Sequence, residues 1–191
     1  MSCFVDVVRP GKRPFALAFD FLTVMGGSFL IALLAQISIP LGFTPVPLTL
    51  QTLGVLLIGG VLGRKKGTWA VLAYLSQGAM GLPFFAGGTS GLAALIGPTG
   101  GYFLGFIVAT TLVGYLLERG PKEKLSYSIS TMCVGAFCIL FFGALWLSFF
   151  VGGMQMAIAL GVIPFLLGEG IKVVAAAVLI PTGWKFIHSH E

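Results

Sequence analysis

Ten of the eleven lysines and arginines in this chain fall into four short groups: Arg9, Lys12 and Arg13; Arg64, Lys65 and Lys66; Arg119, Lys122 and Lys124; and Lys185. Between the groups run long apolar blocks, the first from Phe15 to Ile39. Such blocks are too long for barrel strands and lack their alternation. The backbone that satisfies its own hydrogen bonds in hydrocarbon is then the α-helix. A mean hydropathy of +1.03 with only 9% charged residues excludes a water-soluble domain. The net charge of +5 does not point to nucleic acid, because the cations lie between apolar blocks and form no stripe interleaved with stacking aromatics.

Glycine and proline divide the blocks. The expected fold is an all-α integral membrane protein, one domain over residues 1–191, with six transmembrane helices at about 15–39, 48–62, 68–82, 102–117, 126–151 and 165–186. The first block is too long for a signal peptide and lacks a convincing cleavage site, so it stays as helix one. Residues 41–47, 83–98 and 152–164 contain no Lys, Arg, Asp or Glu. All four cationic groups fall on the alternate connections, which predicts both termini on the cytoplasmic side. The uncharged Gly/Pro-rich stretches then become outer loops that pack on protein over a binding cavity. Trp69 and Trp184 fall at the inner boundary and Trp146 towards the outer half.

Three ionisable residues remain at membrane depth: Asp20, Glu169 and Lys172. Asp20 lies near the inner end of helix one and suits an interfacial helix-end role. Glu169 and Lys172, spaced i, i+3, share one face of helix six near its outer end. Either they neutralise each other structurally, or Lys172 meets an anionic ligand while Glu169 orients the lysine or accepts ligand N–H groups. Gln36, Thr44, Thr49 and Gln51 add neutral polar groups near the outer ends of helices one and two. Phe84, Phe85 and Tyr102 can wall an apolar part of a ligand.

Other chemistry finds little support. The glycines of AGGTSG and GPTGG do not have phosphate-loop spacing and have no nearby cation, and neither HExxH nor GxSxG is present, so an enzyme is not expected. Cys3, Cys133 and Cys138 form no CxxC framework, and His188 and His190 lie in the tail. Free thiols, no metal and no cofactor are expected. Without an ATPase motif of its own, the chain needs an energising partner, for which the small residues Ser28, Ala32 and Ala35 offer a docking stripe on helix one. The residues alone leave open an uptake subunit, a stand-alone carrier or channel for a small anionic solute, and a non-transport membrane assembly protein.

Two runs carry a family resemblance: AQISIPLGFTPVPLTLQTLGVLL, from Ala35 to Leu57, and GLPFFAGGTSGLAALIGPTGGYFLGF, from Gly81 to Phe106. The chain resembles the BioY family, the biotin-specific substrate-binding S components of energy-coupling factor (ECF) transporters, in order along most of its length. The resemblance implies biotin as ligand and, as partners in the cell membrane, a transmembrane coupling subunit and two ABC ATPases. It places ligand contacts at Glu169, Lys172 and Tyr102, and more loosely at Thr44, Gln51 and Thr89, beside Phe85 as an apolar wall read from the residues. Lys172 would meet the valerate carboxylate. The family more often has aspartate at the position of Glu169, and its AxxxA docking pattern corresponds here to Ser28-x-x-x-Ala32.

Overall fold

The computed structural model describes residues 9–11, 13–121 and 123–188; Cys3, Lys12, Lys122 and His190 lie outside them. Helix α1 spans Arg13–Gln36. It stops short of the expected residue 39 because Ser38–Ile39 (β1) pairs antiparallel with Leu48–Thr49 (β2), in the register Ser38 with Thr49 and Ile39 with Leu48. Ile39 precedes Pro40, which biases it towards extended backbone, and the pairing satisfies groups that a helix would otherwise bond. The same pairing moves the start of the next helix from 48 to Gln51.

That helix, α2 (Gln51–Ala79), is broken at Gly63, where φ 73° and ψ −175° place the backbone in a region closed to side chains. The chain doubles back there. A Cβ built on Gly67 would lie 3.1 Å from the carbonyl oxygen of Ile58, whereas nine residues of straight helix would separate the two by about 13 Å. Residues 51–62 and 64–79 are therefore two arms lying side by side. The expected charged link is reduced to one glycine, and Arg64, Lys65 and Lys66 form the first turn of the second arm. The carboxylate of Glu118 accepts the Arg64 backbone N–H at 2.7 Å and so caps the new helix start.

After a 3₁₀ turn at Ala86–Gly88 and the short α3 (Leu92–Ile96), α4 (Gly100–Arg119) runs through the middle of the bundle against both arms of α2 and against α5 (Leu125–Leu147). Gly114 allows α4 to approach the reversal of α2: a Cβ there would overlap the Arg64 backbone nitrogen. Beyond α5, the backbone tightens to i−3 bonds at Phe149 and Phe150. Gly152, at φ 85°, then closes a turn in which the Gly153 N–H bonds Ser148 O, so the expected end at 151 falls inside this cap. The stretch over residues 152–164, expected as an outer loop, instead holds the helix α6 (Met154–Gly161) and the start of a 3₁₀ turn at Ile163–Phe165; α7 (Leu166–His188) follows.

Among the described residues, four stretches are long and apolar enough to cross a membrane: Pro14–Gln36, Gly100–Arg119, Leu125–Leu147 and Met154–Gly183. With the two shorter arms of α2 they make the six helical segments of a multi-pass membrane protein. One end of the bundle is charged. Asp20 of α1 bonds Arg9 at 2.5 Å and Lys66 at 2.9 Å, and Ile180 of α7 packs towards Gly60 and Leu117 at this same end. The other end carries the strand pair and the loops over residues 83–99. Cys133 and Cys138 are free thiols.

The small-residue stripe does not face outward. Ser28 and Ala35 are fully buried and Ala32 nearly so, and the Ser28 hydroxyl donates to Gln77 Oε1 of the second α2 arm. Small side chains let helices of the same chain approach closely as readily as a partner's, and here they serve the α1–α2 contact. The outward face of α1 carries Leu22, Phe29 and Leu33 instead.

Gly63→Ala forces a side chain into a glycine-only conformation and is expected to cost roughly 1–3 kcal/mol. Gly26→Ala, with nothing within 4 Å, should leave stability nearly unchanged. Thermal unfolding in detergent distinguishes them, and equal midpoints would contradict the reversal at Gly63.

Candidate functional site

Three side chains from two helix beginnings meet between α2 and α7. Glu169 lies in the first turn of α7, where the helix dipole favours a carboxylate, and Lys172 follows on the same face. Lys172 Nζ donates to Glu169 Oε1 at 2.6 Å and to Thr52 Oγ1 at 2.9 Å, while the Thr52 hydroxyl donates to Glu169 Oε1 at 2.8 Å. All three residues are buried, with Glu169 and Lys172 each 5% exposed. Charges so far from water persist only when paired and hydrogen-bonded, and this triangle meets both needs. One atom is left over: Glu169 Oε2 is buried and has no hydrogen-bond partner among the described residues.

The triangle forms part of the lining of a cavity of about 500 Å³, within the range of small-molecule sites. Below it lies a core of Leu56, Met132, Val173 and Ala176. The walls are mainly apolar, from Phe103, Phe106, Ile139 and Phe165, and the strand pair with the 83–89 loop forms the rim. All seven residues expected as ligand contacts line this one cavity, but they are not chemically equivalent.

Gln51 is held on both sides, accepting from Thr49 Oγ1 at 3.1 Å and donating to the Tyr74 hydroxyl. Tyr74 in turn donates to the Phe84 carbonyl at 3.3 Å, tying the cavity wall to the outer loop. Phe85 is 1% exposed and packs between the rings of Tyr74 and Phe103, with its edge where a Cβ on Gly78 would lie. It wedges the loop into the bundle. Tyr102 presents its ring to the cavity, but its hydroxyl donates to Gly161 O at 2.6 Å, so α4 grips the end of α6. Thr44 and Thr89 sit at the rim in local bonds, Thr44 Oγ1 accepting the Val46 N–H and Thr89 Oγ1 donating to Ala86 O.

Gln36 does not line the cavity; its amide reaches Ala32 O at 3.0 Å and Pro83 O at 3.2 Å, holding the loop to α1. Two functional residues escape the sequence reading, Thr52 and Tyr74. A threonine within an apolar helix ordinarily bonds its own backbone, so only the polar cluster Thr49, Gln51 and Thr52 at a helix start hints at a site. Tyr74 has no local signal, because its importance comes from the hairpin that brings it to Gln51.

The BioY family profile matches residues 11–189. The chain is 44% identical over 150 residues to the biotin transporter BioY of Thermotoga maritima, covering 78% of this chain and 86% of that protein. It is 41% identical to the biotin transporter BioY2 of Lactococcus lactis subsp. cremoris, covering 80% of this chain and 82% of the relative. Among solved structures, it resembles a crystal structure of the S-component for biotin from an ECF-type ABC transporter, with a TM-score of 0.79 and 30% identity over 88% of this chain and 92% of the other.

Removing one member of the buried pair strands the other. Lys172→Met alone is expected to destabilise the protein by roughly 3–5 kcal/mol, and Lys172→Met combined with Glu169→Gln by clearly less. The two unfolding midpoints in detergent measure this coupling; a double variant that loses the sum of both single losses would contradict it.

Proposed function

The chain belongs to the BioY family, and from that premise we propose that it binds biotin and serves its uptake as the S component of an ECF-type ABC importer. The observation that carries this reading is the neutral Glu169–Lys172–Thr52 triangle in a mainly apolar cavity, with one carboxylate oxygen left to accept a hydrogen bond.

Biotin combines a neutral ureido ring, an apolar thioether ring and an anionic valerate tail. The ureido N–H groups match Glu169 Oε2. A lysine has three donors, and Lys172 uses one on Glu169 and one on Thr52, which leaves a third for the ureido carbonyl. Phe103, Phe106 and the Tyr102 ring take the thioether ring. The valerate carboxylate belongs at the rim, near the hydroxyls of Thr44 and Thr89, where water still reaches it.

This orientation reverses the one suggested by the charge of Lys172 alone. That charge is already compensated by Glu169, so a second carboxylate beside it would leave one uncompensated negative charge away from water, at a cost of several kcal/mol. A neutral head group incurs no such cost. Gln51 and Tyr102, whose polar atoms are bonded within the protein, shape the walls rather than reading the ligand.

Uptake draws its energy from partners, a transmembrane coupling subunit and two ABC ATPases. The charged end of the bundle faces the cytoplasm of the cell membrane, a reading supported by the concentration of Lys and Arg there. The cavity end faces out.

Isothermal titration of the detergent-purified chain with biotin, biotin methyl ester and lipoate tests the reading. Biotin should bind, and the ester should stay within about fivefold of it, because a solvent-exposed charge contact contributes under about 1 kcal/mol. Lipoate keeps the valerate tail but lacks the ureido group, and should bind at least about a hundredfold more weakly because Glu169 Oε2 stays unpartnered. No biotin binding by folded protein would overturn the function. Equal binding of lipoate, or a hundredfold loss for the ester, would overturn the orientation.

A further inference from the structure

The charged end holds a second constellation that the transport reading does not use. Thr68 of the second α2 arm and Thr111 of α4 share a hydrogen bond at 2.7 Å, so the residues one turn nearer the charged end, Arg64 and Tyr115, lie side by side. The Arg64 guanidinium lies 5.6 Å from the centre of the Tyr115 ring and that of Arg119 lies 4.4 Å from it. Both arginines are exposed, and among the described residues neither forms an ion pair, whereas Arg9 and Lys66 at the same end both close on Asp20. Lys65 adds a further exposed cation next to Arg64.

Two guanidiniums around one ring, with Lys65 beside them, concentrate positive charge that an anion would offset. The Glu118 carboxylate beside them accepts the Arg64 backbone N–H, and three cations outweigh its single charge. Trp69, 64% exposed and close in sequence to Lys65, marks the level of the membrane interface. Half-buried Leu112 lies one turn from Tyr115 on α4, on the side towards the middle of the bundle.

We infer that this cluster at the charged ends of the second α2 arm and α4 binds the headgroup phosphate of an anionic phospholipid. Arg64 and Arg119 bond the phosphate oxygens, held in place by the Tyr115 ring, and an acyl chain runs past Leu112 towards the middle of the membrane. Guanidinium forks suit phosphate geometry, and basic clusters on membrane helices near the charged surface recruit anionic lipid. A soluble phosphate would match the arginines but make no use of the apolar surface beside them.

Lipid binding to the full chain can be followed by native mass spectrometry from neutral detergent, with phosphatidylglycerol and phosphatidylcholine as probes. Phosphatidylglycerol should bind the unaltered chain about tenfold more tightly than phosphatidylcholine. That preference should vanish in the Arg64→Gln/Arg119→Gln variant, whose unfolding midpoint in phosphatidylcholine nanodiscs should match the unaltered chain. Tyr115→Phe should keep the preference and Tyr115→Leu should reduce it severalfold, which separates a built site from general surface charge. A preference unchanged in the double variant, or unchanged between Tyr115→Phe and Tyr115→Leu, would overturn the inference. So would displacement of the lipid by equimolar inorganic phosphate, which would assign the site to a soluble anion. A preference lost in the double variant but matched by an acidic peptide would assign the site to a protein partner and likewise overturn it.

Discussion

A glutamate and a lysine buried together in a membrane bundle require a third group to complete their hydrogen bonds, and here that group is Thr52, 117 residues from Glu169 in sequence. This requirement ties the start of α2 to the start of α7. The strand pair contributes by delaying the start of α2 until Gln51, which leaves Gln51 and Thr52 in its first turn at the cavity. The reversal at Gly63 brings Tyr74 back beside Gln51. Tyr102, bonded to Gly161, fixes the turn from which α7 departs. Disturbing any of these shifts the frame in which the triangle is assembled.

The cavity therefore separates two uses of polar side chains. Gln51, Tyr74, Tyr102 and Gln36 are bonded inside the protein and hold its walls and loops, so their hydrogen bonds cost nothing further when a ligand enters. Glu169 Oε2 has no partner among the described residues and Lys172 keeps a third donor; on the proposed reading these two meet the ligand. In a mainly apolar cavity, a few unmet hydrogen-bonding groups set specificity, because a ligand that fails to satisfy them leaves them unpaired away from water. A neutral group with adjacent donors and acceptor satisfies both at once.

Much of this was legible in the sequence because the bilayer imposes simple rules. The grouping of Arg9, Arg64 and Arg119 marks one end of the bundle, and the isolation of Glu169 and Lys172 in an apolar block singles out the two charges that line the cavity. Elsewhere local rules failed for identifiable reasons. Arg64 to Lys66 resembled a linker, because charge at a helix end and charge in a loop look alike in one dimension. The Ser28, Ala32 and Ala35 stripe indicates close helix packing without saying whose helix packs there. Tyr102 offers both a ring and a hydroxyl, and the hydroxyl is spent on Gly161; only three-dimensional contact distinguishes a ligand contact from a clamp.

The central claim is that the triangle receives the neutral end of the ligand. A crystal or cryo-electron microscopy structure of the chain with biotin bound tests it most directly, by which end of biotin lies within hydrogen-bond reach of Glu169 and Lys172. The expected result is a ureido nitrogen on Glu169 Oε2, the ureido oxygen on Lys172 Nζ and the carboxylate at the Thr44 and Thr89 rim. A valerate carboxylate bonded to Lys172, with the ureido ring at the rim, would contradict it.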